Sequence, residues 1–197
     1  MPANATRVAV VYHSGYGHTK ILAEAVARGA QSVPGTEVSL IPVAEAEARA
    51  SEIHAADAIV FGAPTYMGSV SAPFKAFMDA SSKTWASRGW KNKIAAGFTN
   101  SASQSGDKLN SLMQLAIFGM QHGMVWVGLD LMPGNNSSTG SVHDLNRLGS
   151  FIGAMAQSNS DAPPDQAPIE SDRKTAEHLG RRVASFAGRF SALPQAA

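Results

Sequence analysis

Three short stretches carry the residue types from which a site for a phosphorylated, flat-ringed ligand can be built. The first, Ser14-Gly15-Tyr16-Gly17-His18-Thr19, follows an apolar run and precedes a helical pattern. Its glycines permit a tight turn, and its hydroxyls and free amides can donate to an anion that also gains from a helix amino end. That is phosphate chemistry, although the same letters also spell a plain strand-to-helix turn. The Walker order is absent, and Lys20 stands where the dinucleotide fingerprint needs its third glycine. The second stretch, Gly62-Ala63-Pro64-Thr65-Tyr66-Met67-Gly68, sets a rigid proline, a hydroxyl, an aromatic ring and a thioether side by side. Pro64, Thr65, Tyr66 and Met67 suit the cover of a conjugated ring, or else a loop whose tyrosine packs on its own helix. The third, Asn100-Ser101-Ala102-Ser103-Gln104-Ser105, offers small side chains and many donors that fit the edge of a pyrimidine-like ring.

Other chemistry is poorly supplied. The chain has no cysteine, which removes disulfides, thiolate metal sites and thiol catalysis, so any redox chemistry must come from a bound cofactor. Of the six histidines, His13 with His18 and His54 with Asp57 are the near pairs, and neither has a third ligand at motif spacing. No metal is expected. No Gly-x-Ser-x-Gly elbow presents a serine nucleophile. A formal charge of +1 on 197 residues argues for neither nucleic acid nor a membrane surface as partner.

The elements that must position those stretches follow from the apolar pattern. Val8–Tyr12, Val38–Ile41, Ala58–Gly62, Lys93–Phe98 and Met124–Val127 read as five strands, and their continuous apolarity suits strands covered on both faces. Helical periods lie between them, with Ile21, Leu22, Ala25, Val26 and Gly29 on one face of the first. Glu45 to Ala55, the stretch with Phe74, Phe77 and Met78, and Leu109 to Met120 are further helices. A last amphipathic helix carries Leu179, Val183, Phe186 and Phe190 on one stripe. Strands alternating with helices imply right-handed crossovers and a parallel sheet, whose ligands bind beyond the carboxyl ends of the strands. All three polar stretches fall there. Leu112 to Met132 is the most apolar window, but Gln114, Gln121, His122 and Asp130 make it a buried helix and strand instead of a membrane span. No leader pattern is present between Met1 and Arg7, so a cytoplasmic location is expected. One domain over 1–197 is expected, with a long loop excursion at about 133–171.

Together these residues resemble the flavodoxin superfamily, specifically the WrbA-type NAD(P)H:quinone oxidoreductases and the related NADPH-dependent FMN reductase-like proteins. The carriers are the 14–19 loop, Gly62-x-Pro64-Thr65, Trp85-Ala86-Ser87 and His122-Gly123-Met124. The resemblance implies a flavodoxin-like three-layer α/β fold, with a five-stranded parallel sheet in the order 2-1-3-4-5 and helices on both faces. It implies FMN as cofactor and NAD(P)H as reductant, with the FMN phosphate at Ser14, Gly15, Tyr16, Gly17, His18 and Thr19. Pro64, Thr65, Tyr66 and Met67, with Asn100, Ser101, Ala102, Ser103, Gln104 and Ser105, would surround the isoalloxazine. His122 would lie beside the flavin as a catalytic group, and Trp85 would line the substrate side. Two departures stand out. The third stretch lacks the family's glycine-rich run, and Tyr66 stands where the best-known quinone reductases commonly carry arginine.

The activity this implies is hydride transfer from NAD(P)H through FMN to a quinone-like acceptor. Two alternatives are a flavodoxin-type electron carrier and a flavodoxin-fold module without catalysis. Carriers resemble one another in being strongly acidic, whereas this chain has 15 acidic and 16 basic residues, which favours the enzyme. Leu148, Phe151, Ile152 and Met155 in the excursion, together with the resemblance, imply a homo-dimer or homo-tetramer in which that segment covers a neighbour's flavin site.

Overall fold

The structure, a computed structural model, describes residues 5–191, so part of the stretch searched for a leader lies outside it. β1 (Thr6–Tyr12) leads to α1 (His18–Gln31), then β2 (Thr36–Pro42), a 3-10 turn at Val43–Glu45, and α2 (Ala50–Ala55). β3 (Ala58–Tyr66) turns back through the short β4 (Ser69–Val70) into α3 (Ala72–Ala80) and α4 (Ser82–Ala86). β5 (Ile94–Ser101), α5 (Lys108–Gln121), β6 (Val125–Trp126), β7 (Ala154–Gln157) and α6 (Glu170–Ser191) complete the order.

The sheet runs β2-β1-β3-β5-β6, parallel throughout, which is the doubly wound order expected. Its strand count is seven, not five. β4 is an antiparallel arm on the end of β3, and the fifth position is shared by two pieces. β6 pairs with Ile94 and Ala95 at the start of β5, and β7 pairs with Phe98 to Ser101 at its end. The chain between them leaves the sheet and returns, so the 133–171 stretch is not loop throughout. Ala-Met-Ala-Gln has no β-branched residue, and only the free edge of β5 makes it a strand. The second and third polar stretches are likewise partly strand, since β3 runs on to Tyr66 and β5 to Ser101.

Two cores flank the sheet. Val8, Val10, Leu22, Val26, Leu179 and Val183 pack between it and the α1–α6 pair. Val11, Ile59, Phe61, Phe74, Leu115 and Phe118 fill the other side. α1 and α6 meet backbone to backbone, because a Cβ on Gly29 would fall on the Glu177 carbonyl and one on Gly180 on that of Val26. The apolar 112–132 window divides into α5, with Leu112 and Leu115 fully buried, and β6. Among the described residues no helix is long and apolar enough to cross a membrane.

Candidate functional site

At the carboxyl end of β1 the chain must reverse into α1 within a few residues, and Gly17 makes this possible at φ 91°, a left-handed conformation. The loop is held from both sides. An added Cβ on Gly15 would lie 2.7 Å from Tyr66 Oη, and one on Gly17 would lie 2.5 Å from Cγ of Pro164. His18 Nε2 donates to the Ala162 carbonyl at 2.8 Å, which ties the start of α1 to the segment after β7. Inside this loop Ser14 Oγ is hidden from solvent and has no hydrogen-bond partner. A buried hydroxyl left unpaired is costly, and it marks where an acceptor belongs.

The loop opens onto a cavity of about 520 Å³. Ser14, Tyr16, His18 and Thr19 line it from the first stretch, Pro64, Thr65, Tyr66 and Met67 from the second, and Asn100, Ser101 and Ala102 from the third. Tyr66 stands edge-on to Tyr16 with ring centroids 6.1 Å apart, and Met67 is fully exposed at the rim with φ 48°. Burial, then the neighbouring Tyr16, push the Tyr66 phenol above its ordinary pKa, so it remains a neutral hydroxyl. The Thr65 hydroxyl is 2.8 Å from both Thr99 Oγ1 and Ser111 Oγ, which welds β3 to β5 and α5. The residues lining the cavity include no Asp, Glu, Lys or Arg. Apolar and aromatic walls with scattered hydroxyls suit a flat, neutral, hydrogen-bonding ring.

Some expected residues are elsewhere. Ser103, Gln104 and Ser105 are exposed and do not line the cavity. Gly15 and Gly17 shape the turn of the first loop but do not themselves line the cavity. His122 is displaced from the site: it caps the carboxyl end of α5, just before β6. β6 pairs with the amino end of β5, whereas the cavity opens at the opposite end, beside Ser101. There His122 is 3% exposed, 2.9 Å from Ser81 Oγ, and packed against Trp90 and Phe118 at 4.4 and 4.8 Å between ring centroids. Burial lowers its pKa to about 4. Trp85 sits half-exposed on α4 and does not line the cavity of its own chain.

Three residues went unread in the sequence. Ser158 and Ser160 complete the wall from the segment after β7, where Ser158 Oγ donates to Asn100 Oδ1 at 2.9 Å. That segment therefore closes the site of its own chain. The stretch Ser158-Asn159-Ser160-Asp161 ahead of Pro163-Pro164 gave no periodic signal to find it by. Lys108, the third, is buried at the start of α5, and its Nζ donates to Ser101 Oγ at 2.7 Å and to the Ser103 carbonyl at 2.6 Å. A lysine in the first turn of a helix opposes the helix dipole, and that mismatch was the available clue.

The fit to FMN rests on these features. An unpartnered hydroxyl lies within a glycine-bearing loop at a helix amino end, beside a slot between two strand ends. The sequence profile of the NADPH-dependent FMN reductase family matches residues 44–136. Flavodoxin FldP of Pseudomonas aeruginosa is 45% identical over 91% of this chain and 95% of its own. An NAD(P)H dehydrogenase (quinone) of Geobacter sulfurreducens is 31% identical over 93% of this chain and 98% of its own. Among solved structures, the flavodoxin, WrbA-like protein from Agrobacterium tumefaciens is 42% identical with a TM-score of 0.73, covering 94% of this chain and 99% of that one. Likeness of that degree over nine-tenths of the chain, together with a site shaped for FMN, assigns this protein to the flavodoxin-like family of WrbA and FMN-reductase proteins.

Proposed function

We propose that this protein is an FMN-dependent oxidoreductase that passes reducing equivalents from NAD(P)H to a quinone or a similar flat acceptor. Residues 14–19 would hold the phosphate, with the Ser14 hydroxyl and the amides of the loop donating to it. Pro64, Tyr66 and Met67 on one side and Asn100, Ser101 and Ala102 on the other would hold the ring, and Ser158 and Ser160 would close it from water. FMN supplies the redox chemistry: it takes two electrons from the nicotinamide and hands them to the acceptor. No side chain need act as a nucleophile. The protein's part is to hold one face open to two flat partners in turn while excluding solvent from the other.

The observation that carries this reading is the buried Ser14 Oγ without a partner. Its test is a titration with FMN followed by steady-state kinetics with NAD(P)H and a benzoquinone. Alternate use of one face predicts parallel-line, ping-pong kinetics. Intersecting lines that require a ternary complex would reject it.

A second reading, a carrier exchanging single electrons with protein partners, is favoured by the relative named flavodoxin at 45% identity. Balanced charge and a cavity lining free of carboxylates favour the enzyme. Photoreduction separates the two: reduction in one two-electron step supports the enzyme, and two resolved one-electron steps support the carrier. A protein that stays colourless with excess FMN would support the module without catalysis. NAD(P)H as reductant goes with a cytoplasmic location. Self-association is part of the proposal, supported by Leu109, Met113, Ile117 and Met120, which are exposed along one face of α5.

A further inference from the structure

Lys108 is 1% exposed, and its two acceptors, the Ser101 hydroxyl and the Ser103 carbonyl, are both neutral. The charged groups that act on it are Asp172 from α6 and Arg147 from the excursion. Asp172 is already committed. Arg147 grips both its oxygens, from Nε at 2.8 Å and Nη2 at 2.7 Å, and the backbone N–H of Gln157 donates to Oδ2 at 3.0 Å. Arg147 and Asp172 are themselves 6% and 2% exposed. Three buried charges thus leave one net positive charge beneath the wall that Ser101 presents to the cavity. Among the described residues no carboxylate forms an ion pair with Lys108.

A buried ammonium group is expensive to keep charged without an anion. If it served only to pin the loop, a neutral donor would do so at lower cost. Two-electron reduction adds negative charge to the flavin ring system, which no lining residue of the cavity is charged to meet. We propose that Lys108 tunes the flavin, its uncompensated charge favouring reduced over oxidised FMN at this site. The inference rests on the FMN reading given above. Burial lowers the lysine to about pH 8, while Asp172 acts to raise it and Arg147 to lower it further, so it is charged at neutral pH and becomes neutral in mild alkali.

The test compares the holoprotein with Lys108→Met, measuring FMN dissociation constants in both redox states and the two-electron midpoint potential from pH 6 to 10. Expected is at least a tenfold loss in affinity for reduced FMN relative to oxidised FMN, a fall of about 30 mV in potential. The difference should narrow as the pH rises past the deprotonation of the lysine. Wild type alone provides a second measurement that needs no variant to fold. Where the lysine is neutral in the oxidised protein but charged in the reduced one, reduction takes up an extra proton, and the potential falls more steeply with pH. Equal potentials in both proteins, or no steepening in wild type, would overturn the tuning role while leaving the FMN site standing. Failure of wild type to bind FMN in either redox state would overturn both.

Discussion

Ser14 and His122 are both buried polar side chains with an atom left unpaired, and their surroundings give them opposite meanings. Ser14 belongs to a loop that ends at a helix amino terminus and lines an open cavity, where a bound anion would supply the acceptor its hydroxyl lacks. A hydrogen bond to a charged acceptor contributes roughly 1.5–3 kcal/mol. Ser14→Ala should therefore weaken FMN binding about 10- to 100-fold, read by flavin fluorescence titration. The same change should raise, and not lower, the thermal unfolding midpoint of the FMN-free protein, because a costly unpaired hydroxyl is removed and no protein partner is lost. His122 instead lies among aromatic rings, where nothing compensates a charge. Its pKa is lowered from 6.5 to about 4, so the native state keeps it neutral while the unfolded chain takes up a proton as pH falls below 6.5. Its stabilising contribution is complete above pH 6.5 and declines as pH falls toward 4, by on the order of 3 kcal/mol in total. Urea unfolding of His122→Gln at pH 7 and pH 5 should show a smaller acid loss than wild type, and identical losses would refute the assignment.

At the scale of elements, α1 and α6 pack more closely than side chains allow, with Gly29 and Gly180 at the contact. In an isolated helix Gly→Ala stabilises by about 1 kcal/mol. Here the added methyl at Gly180 meets backbone, which cannot swing aside, and overpacking of that kind costs roughly 1–3 kcal/mol. Gly180→Ala should lower the unfolding midpoint despite its better helix propensity, as measured by thermal melting. Legibility in the sequence followed the same division. The regular helices and the four long strands were legible because apolar period depends on each segment's own burial. β7 was not, since Ala154–Gln157 has little strand preference of its own and forms against the edge that β5 leaves free beyond β6. The three cavity loops were legible from glycines, hydroxyls and aromatics next to strand ends. Ser158 and Ser160 were not, because only the return of the chain through β7 brings them there.

For the molecule as a whole, the excursion closes its own chain's cavity and leaves other apolar surface uncovered. Leu109, Met113, Ile117 and Met120 are each about half exposed on one side of α5, a stripe long enough to meet its copy across a twofold axis. If the proposed self-association uses this stripe, Ile117→Glu would bury a charge at its centre. In sedimentation experiments it should shift the protein to monomer at concentrations where wild type is dimeric or larger. Equal masses for the two would exclude this face as the interface.

The resemblance implied the strand order, while composition and pattern alone determined the class of fold, the confinement of any redox chemistry to a bound cofactor and the three polar loops at the strand ends. These are local properties: each depends on the residues of one segment and on whether that segment is buried. The placement of His122 away from the cavity, the splitting of the fifth strand and the buried charge of Lys108 were decided only by tertiary structure. Each depends on which distant segments come together, His122 with Trp90, β7 with β5, and Lys108 with Arg147 and Asp172. No spacing within a single segment encodes such a meeting.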